Sequence, residues 1–422
     1  MYCLIHVISL MVLCLCQSSQ LALKPWTLST RSRSDVGLLE IDVEIYDFRF
    51  LHIDPEIKAN ATQIIMSYGY HVEEHFVTTD DGYILCLFRM RNPRFLDKND
   101  LKVVYLQHGL LDSAHTWINN LRNESLAFIL ADAGFDVWLG NSRGSTYSRN
   151  HVYLTPERSK FWEFSWDQMA QFDLPSSIYY VLNVTGAKKI GYVGHSQGCQ
   201  IALAQFDRDP QLQSRISVFI AFAPVAFLGH LKSPIRFVAP LAQTLEEVLE
   251  LFSKGEFLPS NKLMRFLAYF LCRRGHVPFV CTNVIYLIAG YDYANTNTTR
   301  LPVYVAHTPA GTSTQNIVHY CQSITSDRFQ KFDYGRKKNL QIYGQPTPPE
   351  YDLSNITVPT VVFSGGHDWL AVKKDVLRLM DRIEKAVVSY THFADYNHLD
   401  FVWGMDAGYV LYPAVLDWLS KY

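Results

Sequence analysis

The stretch Gly194-His195-Ser196-Gln197-Gly198 constrains this chain more than any other, because of what surrounds it. It directly follows the run Lys189-Ile190-Gly191-Tyr192-Val193 and precedes the helical stretch Cys199 to Phe206. G-x-S-x-G between a strand and a helix predicts a sharp elbow that lifts the serine hydroxyl above the edge of a sheet. The elbow crowds the serine against its neighbours, so side chains at 194 and 198 would collide with strand and helix. A bare G-x-S-x-G is a weak signal, and the alternative is a structural turn. The strand in front and the helix behind make Ser196 the expected nucleophile.

Serine is a poor nucleophile until a base takes its proton, and that base must be oriented by a third group. Where a serine sits on such an elbow, the acid and the histidine follow it in that order. The strand Pro359 to Phe363 runs into Ser364-Gly365-Gly366-His367-Asp368, which puts Asp368 just past a strand's carboxyl end. Asp375 competes but sits in the following helical stretch. After the next strand, Asp395-Tyr396-Asn397-His398-Leu399-Asp400 offers His398 as base, in competition with His367 beside the acid and His392 close to the strand. Acyl transfer also needs donors aimed at the developing oxyanion. These are expected to be the backbone N–H of Gln197 and, from His108-Gly109-Leu110-Leu111, that of Leu110.

Two other patterns invite a chemical reading. His71-Val72-Glu73-Glu74-His75 fits the H-x-x-E-H zinc pattern, but that pattern requires a helix and Glu73 to Thr78 reads as a strand entering the turn Asp80-Asp81-Gly82. Asn141-Ser142-Arg143-Gly144 follows a strand and could be a ligand loop. The expected role for Arg143 is structural, pairing to hold neighbouring loops. No metal, nucleotide or organic cofactor is expected.

Short apolar runs at Val103 to Gln107, Val137 to Gly140, Ile190 to Val193, Val218 to Phe222, Pro359 to Phe363 and Ala386 to Tyr390 alternate with helix-length stretches such as Glu124 to Ala133 and Gln168 to Asn183. This is the pattern of βαβ units, a mostly parallel sheet covered by helices on both faces. A strand pair, Glu73 to Thr78 and Tyr83 to Arg89, is expected ahead of it. From Leu228 to Tyr343 the alternation stops while apolar residues stay dense, which reads as an insertion. Within it Leu241, Leu245, Val248, Leu249 and Phe252, and again Leu263, Phe266, Leu267, Phe270 and Leu271, follow one helical face.

With 38 basic against 40 acidic residues and no long basic cluster, the chain lacks the electrostatic footprint of a nucleic-acid binder. Leu4 to Cys16 is an apolar run of signal-peptide length followed by Gln17-Ser18-Ser19, too short to span a bilayer comfortably, and no other segment is long and apolar enough to cross one. Cleavage near Ser18 or Ser19 would leave Cys86, Cys199, Cys272, Cys281 and Cys321. Cys272 and Cys281 close a small loop and are the expected bridge in an oxidising compartment, the other three being buried thiols. Five N-x-[ST] sequons, at Asn60, Asn123, Asn183, Asn297 and Asn355, fit the same export route.

The chain resembles the acid lipases, the gastric and lysosomal group, from about Ile53-Asp54-Pro55-Glu56 to its last helix. The motifs that carry this are Gly194 to Gly198, Gln107-His108-Gly109-Leu110-Leu111, Leu126 to Gly144, Pro309-Ala310-Gly311-Thr312-Ser313, Gly365-Gly366-His367-Asp368-Trp369-Leu370 and Tyr396-Asn397-His398-Leu399-Asp400-Phe401. The resemblance implies an α/β-hydrolase fold, Ser196, Asp368 and His398 as a triad, an oxyanion hole from the amides of Leu110 and Gln197, and a cap with a lid and a disulfide matching Cys272 with Cys281. It also implies a lipid ester substrate, triacylglycerol or sterol ester, and a secreted or lysosomal destination. Cys199 departs from the small polar residue usual in the family. The expected organisation is a signal peptide at 1–18, an N-terminal segment of unassigned role at 19–50, a first core part at 51–227, the cap and lid at 228–343 and a second core part at 344–422. The rival functions are a short-chain esterase, which would not need so apolar a cap, and a non-catalytic lipid carrier, which would be expected to have lost part of the triad.

Overall fold

The computed structural model describes residues 54–98, 100–241, 254–258 and 285–422. The strands are β1 His71–Thr78, β2 Tyr83–Arg91, β3 Val103–Gln107, β4 Asp136–Leu139, β5 Asn150–His151, β6 Ile190–His195, β7 Ile216–Phe222, β8 Glu256–Phe257, β9 Thr312–Ser313, β10 Thr360–Gly365 and β11 Val387–Phe393. They all lie in one unit, Glu56–Tyr422. The main sheet runs β1-β2-β4-β3-β6-β7-β10-β11, with β5 added against β2. The pairs β1–β2 and β2–β4 are antiparallel, and every pair from β4 to β11 is parallel. Each run read from the sequence as a strand is one, with ends shifted by a few residues.

Successive residues of a strand face opposite sides, and here both sides are apolar. In β3, Val104 and Leu106 join one core while Val103 and Tyr105 join the other. The first core takes the helices Leu126–Asp132 and Tyr412–Lys421, and the second takes Leu174–Thr185 and Gln197–Arg208. The helix expected from Gln168 starts slightly earlier, at Trp166, and Met169–Asp173 forms a π turn within it before the α-helical run Leu174–Thr185. That wider turn carries Asp173, whose carboxylate accepts from both the backbone N–H and the Nε of Arg143.

Between residues 228 and 343 the described residues contribute helical residues 285–289, the helices Leu301–His307, Thr314–Ser326 and Arg336–Tyr343, and the small antiparallel pair β8–β9. Leu241 is described and exposed. The rest of the two expected helical faces, Leu245 to Phe252 and Leu263 to Leu271, lies outside the described residues, as do Cys272, Cys281 and residues 1–50. Cys86, Cys199 and Cys321 are free and buried. Burial pushes the Cys86 and Cys321 thiols up to about 12 and about 11, so neither is a reactive thiolate at physiological pH. No helix among the described residues is long and apolar enough to cross a membrane.

Candidate active site

The elbow forms as its spacing predicts. Ser196 directly follows β6 and opens the helix Gln197–Arg208, with φ 54° and ψ −113°, a conformation few residues other than glycine adopt. It is held there by its own N–H, which donates to Phe222 O at 3.0 Å, and by its carbonyl, which accepts from Cys199 N at 3.0 Å. A β-carbon on Gly194 would lie 2.9 Å from Cys199 N, and one on Gly198 would lie 2.4 Å from Gln107 O. Both glycines are therefore required by close backbone approach. Cys199 fits behind the elbow as a small buried donor, its Sγ 3.0 Å from Gly194 O.

Asp368 lies past the carboxyl end of β10 and His398 past that of β11, both buried. His398 Nδ1 pairs with Asp368 Oδ2 at 2.9 Å. Asp368 Oδ1 accepts from Leu370 N and Ala371 N, each at 2.8 Å, so the carboxylate is pinned on both oxygens. The anion takes the Nδ1 proton as its partner, which leaves the buried Nε2 as an acceptor without a hydrogen bond of its own. The competitors are placed elsewhere. Asp375 accepts from the backbone N–H of His230 and pairs with its Nδ1 at 2.6 Å. His392 Nδ1 bonds Ser364 Oγ, and His367 is exposed.

Gln197 is the first residue of its helix, where a backbone N–H has no intrahelical partner. Leu110 sits in the loop after β3, and the preceding residue places that loop against the nucleophile: a β-carbon on Gly109 would lie 3.2 Å from Ser196 Cβ. The Gln197 side chain is itself held by Asn316 of the helix Thr314–Ser326, whose Nδ2 donates to Gln197 Oε1 at 2.8 Å.

Sequence reasoning missed His195. Its Nε2 donates to His398 O at 2.8 Å, linking the elbow to the histidine loop. Burial, helped by His398 nearby, pushes its imidazole down to about 3, so His195 stays neutral across most acidic conditions. Asp112 was also missed. It lies in the loop that carries Leu110, accepts from Ser113 N and Thr308 Oγ1, and is pushed up to about 6 by burial. Because its folded value lies above the unfolded one, the stability linked to Asp112 is fully present below the unfolded carboxylate range and is lost as pH rises through about 6. Asp112→Asn keeps the acceptor and removes the charge. Chemical denaturation should show the variant more stable than wild type near neutral pH, by on the order of 2 kcal/mol, and equal to it near pH 4. A constant difference at both pH values would show that Asp112 does not titrate on folding.

The other two sequence patterns resolve structurally. His71 to His75 lie in strand β1, so the helix that a zinc pattern requires is replaced by a strand, and Glu73 pairs with Arg89 and Arg91. Arg143 is fully buried, forks onto Asp81 at 2.6 and 2.8 Å, bonds Asp173 at 2.7 Å and stacks over Tyr83. It ties its own loop to the turn between β1 and β2 and to the π turn that carries Asp173, as expected of a buried bidentate arginine.

Comparison with known proteins gives the family and the fold. Residues 102–405 match the family described as alpha/beta hydrolase fold, and residues 61–121 match the partial alpha/beta-hydrolase lipase region. The lysosomal acid lipase/cholesteryl ester hydrolase of Homo sapiens is 44% identical over 373 residues, covering 88% of this chain and 93% of its own. The gastric triacylglycerol lipase of Rattus norvegicus is 43% identical over 371 residues, covering 87% and 93%. Among solved structures, a soluble variant of the monoglyceride lipase of Saccharomyces cerevisiae superposes with a TM-score of 0.50 at 15% identity, over 83% of this chain and 95% of that one, a likeness of fold. The pinned acid–histidine pair, the strained serine elbow and sequence identity over nearly nine-tenths of the chain converge on one assignment: the chain belongs to the acid lipase family of α/β hydrolases.

Proposed function

We propose that this protein hydrolyses carboxylic esters of lipids through an acyl-enzyme on Ser196. The observation that carries the reading is the Asp368–His398 hydrogen bond at the sheet edge that holds the serine elbow, with Nε2 of His398 left as a buried acceptor. Ser196 Oγ attacks the ester carbonyl while His398 Nε2 takes its proton, and His398 then gives that proton to the departing alcohol. Water repeats the sequence on the acyl-enzyme and releases the fatty acid. The amides of Gln197 and Leu110 receive the oxyanion. Asp368 holds the imidazole in the tautomer this requires and stabilises the imidazolium.

The segment 228–343 is the cap and lid in this reading, and Cys272–Cys281 its disulfide. The substrates are triacylglycerols or sterol esters met at a lipid surface. The chain enters the secretory route, with 1–18 removed, and reaches the lysosome or the extracellular space. The positions of the sequons support glycosylation: Asn60, Asn123, Asn183 and Asn355 are exposed and Asn297 is half-buried.

The test is turnover of purified protein on long-chain triacylglycerols, sterol esters and short-chain esters, beside a Cys272→Ser, Cys281→Ser double variant. A long acyl chain gains several kcal/mol from an apolar wall at roughly 25 cal/mol per Å² buried, whereas an acetyl group gains almost nothing. Loosening the cap should therefore lower long-chain turnover well before short-chain turnover. Equal loss of both in folded protein would make the segment a structural part of the body, and a wild-type preference for short-chain esters would replace lipase by esterase.

A further inference from the structure

The insertion touches the acid and histidine loops through two consecutive carbonyl groups. Ala289 O, at the end of helical residues 285–289, accepts from Trp369 N at 3.2 Å and from His398 N at 3.3 Å. Trp369 is the residue after Asp368, so one oxygen bridges both loops. The next carbonyl, Gly290 O, accepts from Asn397 Nδ2 at 3.1 Å. Asn397 is 1% exposed, and its Oδ1 caps its own loop by accepting from Leu399 N at 2.7 Å and Asp400 N at 3.1 Å. The approach leaves no room for a side chain at 290, where φ is 106° and a β-carbon would lie 1.8 Å from His367 O.

These bonds end on the backbone of His398 itself and on the residues flanking both members of the acid–histidine pair. A fold that needed only to attach a cap had no reason to spend a buried amide there, since Arg300 already anchors the insertion on Asn119 O at 3.1 Å. We propose that Asn397, acting through Gly290, is a positioning residue for ester hydrolysis, and that residues 289–290 of the insertion set where the His398 imidazole stands relative to Ser196. The proposal rests on the triad reading above. The insertion thus has a second role beside covering the substrate: it completes the geometry of the catalytic loops.

Asn397→Asp tests this with a side chain of the same shape. Its carboxylate keeps the acceptor for Leu399 and Asp400 but loses the donor, and near neutral pH it turns a negative oxygen toward Gly290 O. At low pH the protonated carboxyl regains an O–H that can donate to that carbonyl. The acidic neighbours are Asp400 on the same loop, whose Oδ2 accepts from Asn397 N, Asp292 on the insertion, and Asp406, which accepts from Tyr396. They are present in wild type and variant alike, so the ratio of the two activities isolates the new group. Near neutral pH, kcat should fall roughly 10- to 100-fold with KM little changed, since a misplacement of about 1 Å costs about that much. As pH falls through the protonation of the new carboxyl, which burial and Asp400 beside it hold above the usual carboxylate range, the ratio should recover most of that loss. Gly290→Ala, which blocks the contact without adding a titratable group, should lose kcat at every pH. Folded Asn397→Asp with wild-type kcat, or with a loss that ignores pH, would overturn the proposal, as would folded Gly290→Ala with wild-type kcat. Phosphonate labelling of the wild type separates the two readings: modification at a serine other than Ser196 would overturn the triad assignment, whereas slower labelling at Ser196 in the variants supports the tie.

Discussion

Ser196→Ala should abolish lipid ester hydrolysis, lowering kcat on the order of 10⁶-fold, or about 8 kcal/mol of transition-state stabilisation. The size of the loss follows from the roles being interdependent. Without the hydroxyl, the Nε2 of His398 has no proton to take from a nucleophile, and only the amides of Leu110 and Gln197 remain to act on a bound ester. The residue left over sits about 10³-fold above uncatalysed hydrolysis, below what most assays detect. The fold should be unaffected, because the Ser196 backbone is held by Phe222 O and Cys199 N and not by its hydroxyl. A further variant separates chemistry from strain. Ser196→Gly is equally inactive, but it relieves a φ of 54° that costs on the order of 1–3 kcal/mol, and should raise the melting temperature once glycine's larger unfolded-state entropy is subtracted. Turnover, melting curves and mass-spectrometric location of a phosphonate adduct measure all three effects. Substantial turnover in the alanine variant, or an adduct on another serine, would remove Ser196 from the mechanism.

The parts of this site that were legible in the sequence are those written in local chemistry. The elbow could be read because its two glycines flank the serine between a strand and a helix, and Gly194 is demanded by the backbone of the turn that follows. Asp368 could be read because it follows a strand whose apolar run ends in two glycines, and His398 because it follows the next strand. What could not be read was contact between segments far apart in sequence. The preference for Asp368 over Asp375 rested on position alone, and its physical reason, His230 capturing Asp375, spans 145 residues. His195 stood in plain view as the variable residue of the motif, yet its link to His398 O spans 203. The carbonyls of Ala289 and Gly290 carried no signal of their own, since a backbone carbonyl has the same chemistry in every residue. A glycine amid aliphatic and aromatic residues was the one available hint that something passes close there.

Replacing Asp368 by Asn should lower turnover on the order of 10⁴-fold while leaving the loop in place, and the reason is specific to how this carboxylate is held. Oδ1 receives two backbone donors, Leu370 N and Ala371 N, and Oδ2 faces Nδ1 of His398. An asparagine has one oxygen to offer. Keeping that oxygen on the two backbone donors satisfies two hydrogen bonds and aims the amide NH₂ at the imidazole, whereas the flipped state would press NH₂ against two N–H groups. The first arrangement wins. His398 Nδ1 must then accept, its proton moves to Nε2, and the atom that should take the serine proton now carries one. The negative charge that would stabilise an imidazolium is gone as well. Binding of substrate involves neither effect, so KM should change little and kcat should carry the loss. Asp375→Asn is the matched control: that carboxylate serves His230, and its replacement should leave turnover within a few-fold of wild type. If Asp375→Asn proves the more damaging of the two in folded protein, the orienting acid of this site is Asp375 and the Asp368–His398 bond is structural.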